Sequence, residues 1–130
     1  MNEKILVVDD EPASLALMEI MLRRKGFTVV TAGDAYRALA LLAKEKPDLI
    51  ILDVMMPGIT GIELCRELRS RPDTATVPVL MLSAWSDFEA VQRGLAAGAN
   101  EYLKKTLPPS QIVSRVQALL VHKQSRANIC

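Results

Sequence analysis

The segment "DLIILDVMMPG", residues 48–58, gives the clearest indication of the fold. Four consecutive apolar residues precede Asp53, with no polar residue among them. An unbroken apolar run of this length is typical of a central strand that is covered on both faces, as in a parallel sheet. The sequence therefore predicts that Asp53 lies at the carboxyl end of a buried strand.

Similar runs recur along the chain, and a helical pattern separates each run from the next. The predicted strands are 4–8, 27–32, 48–53, 77–83 and 101–104. Strands that alternate with helices over short links imply parallel pairing through right-handed crossovers. We predict one α/β domain of five strands and five helices over residues 1–122, with 123–130 as a tail or the start of a linker.

Start and stop signals mark the predicted helices. The start signals are Pro12, Asp34 and the capping boxes Thr60–Glu63 and Ser86–Glu89, in the first to fourth helices. The stop signals are Gly26, Pro47 and Gly98, after the first, second and fourth helices. The fifth helix is predicted to present one apolar face, formed by Ile112, Val116, Leu119 and Leu120.

The composition is that of a soluble globular domain. Of the 130 residues, 50% are hydrophobic and 24% are charged, and the net charge of +1 gives no argument for nucleic acid or an anionic membrane as a partner. Cys65 and Cys130 make no disulfide framework, and the N-terminal apolar run is too short for a signal peptide. Because no run is long enough to span a membrane, we expect a cytoplasmic protein.

Carboxylates follow two of the predicted strands. Asp9, Asp10 and Glu11 come directly after the first strand, and Asp53 ends the third. Ligands of open parallel sheets bind beyond the carboxyl ends of the strands, so we expect these acids to converge. Converging carboxylates raise one another's pKa values, and a hard cation such as Mg²⁺ stabilises them. Helix capping by Asp9 and Asp10 is the weaker interpretation.

The remaining strand ends add a hydroxyl and an ammonium group. The fourth strand ends at Ser83, and the fifth brings Lys104 and Lys105. Together with carboxylates and a cation, these groups suit phosphoryl transfer, in which a carboxylate attacks phosphorus and the cations and hydroxyl neutralise the phosphoryl oxygens. The stretch "EYLKK" (101–105) does not by itself say which lysine takes part.

Four segments together resemble the receiver domains of bacterial two-component response regulators. They are "ILVVDDE" (5–11), "DLIILDVMMPGITGIEL" (48–64), "VPVLMLSA" (77–84) and "GANEYLKK" (98–105). The resemblance extends over residues 3–121. It implies a doubly wound, flavodoxin-like fold with strand order 2-1-3-4-5, and a regulator that is not an enzyme in its own right.

The resemblance assigns the acidic residues to phosphorylation and metal binding. Asp53 is similar to the phosphoacceptor that takes a phosphoryl group from a histidine of a partner kinase. Asp10 resembles the direct Mg²⁺ ligand, with Asp9 acting mainly through water. The Asp53 carboxylate and the backbone carbonyl of Met55 are the further implied ligands.

It also assigns the groups that sense and bind the phosphoryl group. Lys105 resembles the lysine that pairs with it, so that Lys104 is expected to be solvated. Ser83 resembles the hydroxyl that moves to bind the phosphoryl group. Tyr102 resembles the aromatic residue whose rotamer follows that movement.

The implied function is a phosphorylation-activated switch of a two-component or phosphorelay system. The implied partner is a sensor histidine kinase or a phosphotransfer protein, and the implied responsive surface comprises the fourth helix, fifth strand and fifth helix. That surface could bind a second copy, and an output domain could lie outside this sequence. No direct nucleic-acid or membrane partner is expected. The protein would promote its own Mg²⁺-dependent phosphorylation and dephosphorylation. A pseudo-receiver that binds partners without phosphorylation is the alternative.

Some residues depart from the family pattern or lie beside it. Thr106 stands where the family usually has proline after the lysine, and a non-proline cis bond costs about 2.5–4 kcal/mol, so we predict a trans Lys105–Thr106 bond and a rearranged loop. Met55 and Trp85 are predicted to hinder the attacking water and prolong phosphorylation, although Trp85 could equally be a surface aromatic without a role. His122 is expected to be a surface residue.

Two other protein classes fit less well. An aspartyl phosphatase typically needs a second carboxylate two residues after its nucleophile, and this chain has Met55 there. An FMN module needs hydroxyls and amides after the first strand, whereas "DDEP" (9–12) would repel phosphate unless a cation intervened.

Overall fold

The computed structural model describes residues 3–84 and 87–129, and side chains among them as far as Val121. Its strands are β1 (Lys4–Val8), β2 (Thr28–Ala32), β3 (Leu49–Asp53), β4 (Val79–Ser83) and β5 (Glu101–Lys104). Its helices are α1 (Pro12–Arg24), α2 (Ala35–Leu42), α3 (Gly61–Ser70), α4 (Phe88–Ala96) and α5 (Pro109–Ile129). The predicted alternation of strands and helices is confirmed, and the strands begin at most two residues later than predicted.

All five strands pair in parallel, in the order β2-β1-β3-β4-β5. Alternate side chains of β1 and β3 enter two separate hydrophobic clusters, because successive residues of a strand point to opposite faces. One cluster contains residues of α2 and α3, and the other contains residues of α1 and α5. The sheet is therefore covered on both faces, and the predicted doubly wound fold is confirmed.

Local signals explain most helix boundaries. Pro12 is the first residue of α1, and Thr60 and Glu63 form the predicted capping box of α3. The prediction for α4 was wrong, because its N-cap is Asp87, whose carboxylate accepts a hydrogen bond from the Ala90 N–H. The predicted cap, Ser86, lies outside the described residues. Serine and aspartate are both preferred at the N-cap position, so the sequence alone does not indicate which of the two neighbouring residues caps the helix.

The C-terminal region continues as helix. The backbone of α5 is helical through Ile129, so residues 123–129 of the predicted tail or linker are helical. Ile112, Val116 and Leu120 are buried, as the predicted apolar face requires. The division of the chain at residue 122 stays a prediction. Within the described residues, no helix is both long and apolar enough to cross a membrane.

Arg69 fastens the end of α3 to two loops. Its guanidinium donates hydrogen bonds to the Gly98 carbonyl, at 2.9 and 3.0 Å, and to the Asn100 side-chain oxygen at 2.9 Å. It also donates to three carbonyls of the α3–β4 loop, those of Thr74, Ala75 and Val77. A planar group with five donors can serve several carbonyls at once, so this arginine has a structural role.

Gly94 lies in the middle of α4, where the ring of Tyr102 packs against the helix. A Cβ atom at this position would stand 2.6 Å from Tyr102 Cδ2 and 2.9 Å from the Met81 sulfur. Glycine costs about 1 kcal/mol in a helix relative to alanine, and here the missing side chain makes room for the ring. Tyr102 of β5 is thereby in direct contact with the backbone of α4.

Candidate functional site

The predicted carboxylates converge at one edge of the sheet. Asp9 follows β1 and Asp53 ends β3, and these neighbouring strands pair Val8 with Leu52. Oxygen atoms of Asp9, Asp10 and Asp53 all lie within 4.8 Å of one another. Asp9 and Asp53 are 5% and 3% exposed, whereas Asp10 is open to solvent. The convergence that the strand order implies is confirmed.

Lys105 follows β5, the edge strand of the sheet, and its side chain reaches this group of acids. Its backbone N–H donates to the Ser83 carbonyl at 2.8 Å, which fixes the residue beside the end of β4. Its Nζ lies 3.1 Å from Asp9 Oδ2 and 3.2 Å from Asp53 Oδ2, and it also donates to the Glu11 carboxylate. Lys104 is exposed. Of the two lysines, Lys105 is therefore the one that faces the carboxylates.

The electrostatics of the group are those of crowded, buried acids. Burial, and next the charge of Asp9, raise the pKa of Asp53 from 3.8 to about 7, although the Lys105 ammonium and the Met55 N–H oppose the rise. Burial alone would lower the pKa of Lys105, but its hydrogen bonds to Glu11 and Asp9 and the charge of Asp53 raise it above its ordinary value. Lys105 therefore stays charged and only partly compensates the acids.

The donor set fits a divalent cation. Three carboxylates offer oxygen ligands, and the exposure of Asp10 leaves one side of the group accessible to solvent. Mg²⁺ prefers a few carboxylate oxygens together with retained waters. Further positive charge would also relieve the repulsion that raises the pKa of Asp53. The Met55 N–H donates to Asp53 Oδ1 at 3.2 Å, and a role for the Met55 carbonyl as a ligand stays a prediction.

The predicted switch residues lie on the neighbouring strands. Ser83 is fully buried at the end of β4, next to the strand that carries Asp53. Tyr102 is half-buried on β5, opposite Met81. The structure brings Ser83 to the edge where the carboxylates and Lys105 meet, and it places Tyr102 against α4. Their roles as switch residues stay predictions.

The structure describes Thr106 and Met55, two of the residues that depart from the family pattern or lie beside it. The described residues contain no cis peptide bond, so the predicted trans Lys105–Thr106 bond is confirmed. Met55, two residues after Asp53, is 44% exposed, and its predicted effect on the attacking water stays a prediction. Trp85 lies outside the described residues, and so does the side chain of His122.

The sequence reasoning missed one contact, that between Glu11 and Lys105. Glu11 was identified as one of three consecutive acids, but no role was assigned to it. The two residues are 94 positions apart in the chain, and only the assembled sheet brings them together. No local pattern in the sequence could have signalled this pairing.

The chain belongs to the response regulator receiver domain family, whose model matches residues 5–117. It is 42% identical over 120 residues to the DNA-binding response regulator MtrA of Mycolicibacterium smegmatis, covering 92% of this chain and 51% of the relative. It is 44% identical over 120 residues to the alkaline phosphatase synthesis transcriptional regulatory protein PhoP of Bacillus subtilis, covering 92% and 49%. The chain thus spans about half the length of these relatives.

Solved structures lead to the same family. The chemotaxis protein CheY4 of Vibrio cholerae superposes with a TM-score of 0.87 at 34% identity, covering 91% of this chain and 98% of that one. The beryllofluoride-activated receiver domain of RstA from Klebsiella pneumoniae gives a TM-score of 0.84 at 34% identity, again covering 91% and 98%. Receiver domains are regulators of two-component signalling that interact with histidine kinases or phosphotransfer proteins. Phosphorylation on aspartate and Mg²⁺ binding in an acidic pocket are general properties of the family.

Proposed function

We propose that this chain is a phosphorylation-operated switch and that Asp53 is its phosphoacceptor. The supporting observation is the contact of the buried Asp53 carboxylate with Lys105 Nζ, 3.2 Å away, inside a group of acids that fits Mg²⁺. Asp53 stands at the carboxyl end of a central strand, where ligands of such sheets bind. The partner is a sensor histidine kinase or a phosphotransfer protein.

The transfer forms one bond and breaks one. An Asp53 carboxylate oxygen attacks the phosphorus of a phosphohistidine, the new O–P bond replaces the P–N bond, and the imidazole leaves and takes up a proton. Lys105 donates to the phosphoryl oxygens, and the Ser83 hydroxyl is the second proposed donor. Asp9, Asp10, Asp53 and the Met55 carbonyl would hold Mg²⁺, which when bound neutralises charge on the phosphoryl oxygens.

The proposed response passes from Ser83 to the surface of α4, β5 and α5. Because the Tyr102 ring packs on Gly94, a change in the ring position must be accommodated by α4. The surface that changes is then the proposed binding site for a partner or for a second copy of the chain. We place the protein in the cytoplasm, where its kinase partner would meet it.

The test is phosphorylation by acetyl phosphate in the presence of Mg²⁺, measured by intact-protein mass spectrometry. Wild-type protein should gain one phosphoryl group, and Asp53→Asn should gain none. Asp73→Asn, the same change at an exposed site, is the matched control and should behave like wild type. No uptake by the wild type would favour the pseudo-receiver alternative. Equal uptake by Asp53→Asn would show that the acceptor is another residue.

Met55 is proposed to lengthen the phosphorylated state by restricting the approach of water. It is large, apolar and 44% exposed, and its backbone N–H donates a hydrogen bond to Asp53 Oδ1, two residues earlier in the chain. Replacing it with asparagine should speed the loss of the phosphoryl group after acetyl phosphate is removed. An unchanged rate of dephosphorylation would contradict this role.

A further inference from the structure

Glu11 has a position that the proposed mechanism leaves unused. It is the N-cap residue of α1, where serine, threonine, aspartate or asparagine is preferred. Its side chain makes no capping hydrogen bond. Instead, its carboxylate accepts a hydrogen bond from Lys105 Nζ. Glu11 is therefore directed to the lysine of the site rather than to the helix that it precedes.

The Lys105 ammonium has three N–H donors, and it has three carboxylate partners. They are Asp9, Glu11 and Asp53. The side chains of Asp9 and Asp53 are 7% and 4% exposed, whereas that of Glu11 is 62% exposed. Three acidic groups thus surround the ammonium before any phosphoryl group arrives, and one of them is in contact with water.

Phosphorylation replaces the single charge of the Asp53 carboxylate with nearly two negative charges on the phosphoryl oxygens, so the negative charge beside the same ammonium increases by about one. One phosphoryl oxygen can replace the Asp53 carboxylate as a partner of Lys105, and the other phosphoryl oxygens compete with Asp9 and Glu11 for the remaining N–H donors. Separating a buried carboxylate from its cation leaves an unpaired buried charge, which is strongly unfavourable. Glu11 returns to water when it is released, so it is the partner that leaves at the lowest cost.

We propose that Glu11 is a positioning residue, which holds Lys105 beside Asp53 in the unphosphorylated protein and releases it when the phosphoryl group arrives. The inference rests on the proposed function of Asp53. Glu11 competes with the phosphoryl group for Lys105, and the strength of its ion pair lowers the affinity of the site for that group.

The test uses beryllofluoride, which stands in for the phosphoryl group, titrated into the full chain in the presence of Mg²⁺. Glu11→Gln removes the charge, and Glu11→Asp keeps the charge but shortens the side chain by one methylene. Both variants should bind beryllofluoride about 1.5- to fivefold more tightly than wild type, the range expected for loss of an exposed ion pair. Glu89→Gln, the same charge change on an exposed residue of α4, is the matched control and should bind like wild type.

The variants separate direct contact from a general effect of charge. Tighter binding by both Glu11 variants supports the proposal. Tighter binding by Glu11→Gln alone shows that only the charge matters and overturns it, as does unchanged affinity in both. If the wild type binds no beryllofluoride, the proposed function fails and this inference fails with it. If the wild type binds and Asp53→Asn does not, the proposed function stands whatever the Glu11 variants do.

The structure of the beryllofluoride complex is a second readout. Glu11 should lie beyond ion-pairing distance of Lys105 Nζ, while Lys105 contacts the phosphoryl mimic. A complex in which Glu11 still pairs with Lys105 would overturn the proposal.

Discussion

Replacing Asp53 with asparagine should stabilise the protein in the absence of divalent cations. The Asp53 carboxyl is 4% exposed, and burial together with the charge of Asp9 raises its pKa from 3.8 to about 7. A rise of about three pKa units corresponds to about 4 kcal/mol of free energy that opposes folding when the group is charged. Asparagine removes this charge at almost the same volume.

This figure already includes the opposing attraction of Lys105. The gain should fall somewhat short of it because the asparagine amide places two N–H donors where the carboxylate had only acceptors, so we expect Asp53→Asn to raise the free energy of unfolding by about 2–4 kcal/mol near pH 8. The penalty in the wild type is absent when Asp53 is protonated in both the folded and the unfolded state. It grows as pH rises from about 4 to about 7 and is complete above that. The extra free energy of unfolding of Asp53→Asn over the wild type should therefore increase over the same pH range.

Urea denaturation in EDTA, measured between about pH 5 and about pH 8, tests this expectation. The difference in free energy of unfolding between Asp53→Asn and the wild type should be less than half as large near pH 5 as near pH 8. Asp73→Asn, at an exposed site, should change stability little at either pH. Addition of Mg²⁺ should stabilise the wild type more than Asp53→Asn, since a ligand stabilises the state that binds it. If Asp53→Asn is no more stable than the wild type, or is equally more stable at every pH, burial of the charged Asp53 carboxylate does not oppose folding.

Three further substitutions test the packing around the site by urea denaturation. Arg69→Met removes hydrogen bonds to four carbonyls and should cost about 2–4 kcal/mol, whereas Arg66→Met on the exposed face of α3 should change stability by less than about 0.5 kcal/mol. Gly94→Ala should cost about 1–3 kcal/mol despite its better helix propensity, and Tyr102→Ala in the same chain should relieve the loss. Thr60→Ala should cost about 1 kcal/mol through the capping box. Results of the opposite sign would contradict each assignment.

The sequence predicts the fold well because its signals are local and consistent. Unbroken apolar runs identify the strands, and Pro12 and the Thr60–Glu63 pair identify helix starts. The position of Asp53 at a strand end follows directly from its run. The strand order came from the resemblance to receiver domains, because the runs show which segments are strands but not which of them are neighbours.

The rest depends on contacts between distant segments. Arg69 is an ordinary charged residue on a helix in the sequence, yet its guanidinium donates hydrogen bonds to the loop that precedes β4 and to the loop that precedes β5. Glu11 pairs with Lys105 only because β1 and β5 bring their ends to one edge of the sheet. The cap of α4 was missed for a different reason, since Asp87 and Ser86 are equally suitable by residue type.

The long separation of Lys105 from the acids has a consequence for how the protein is made. Lys105 is 96 residues beyond Asp9 and 52 beyond Asp53. During synthesis the N-terminal part of a chain appears first, so a chain that has not yet reached β5 carries the acids without their lysine. The acids therefore gain their compensating ammonium only in a late step, when β5 joins the sheet.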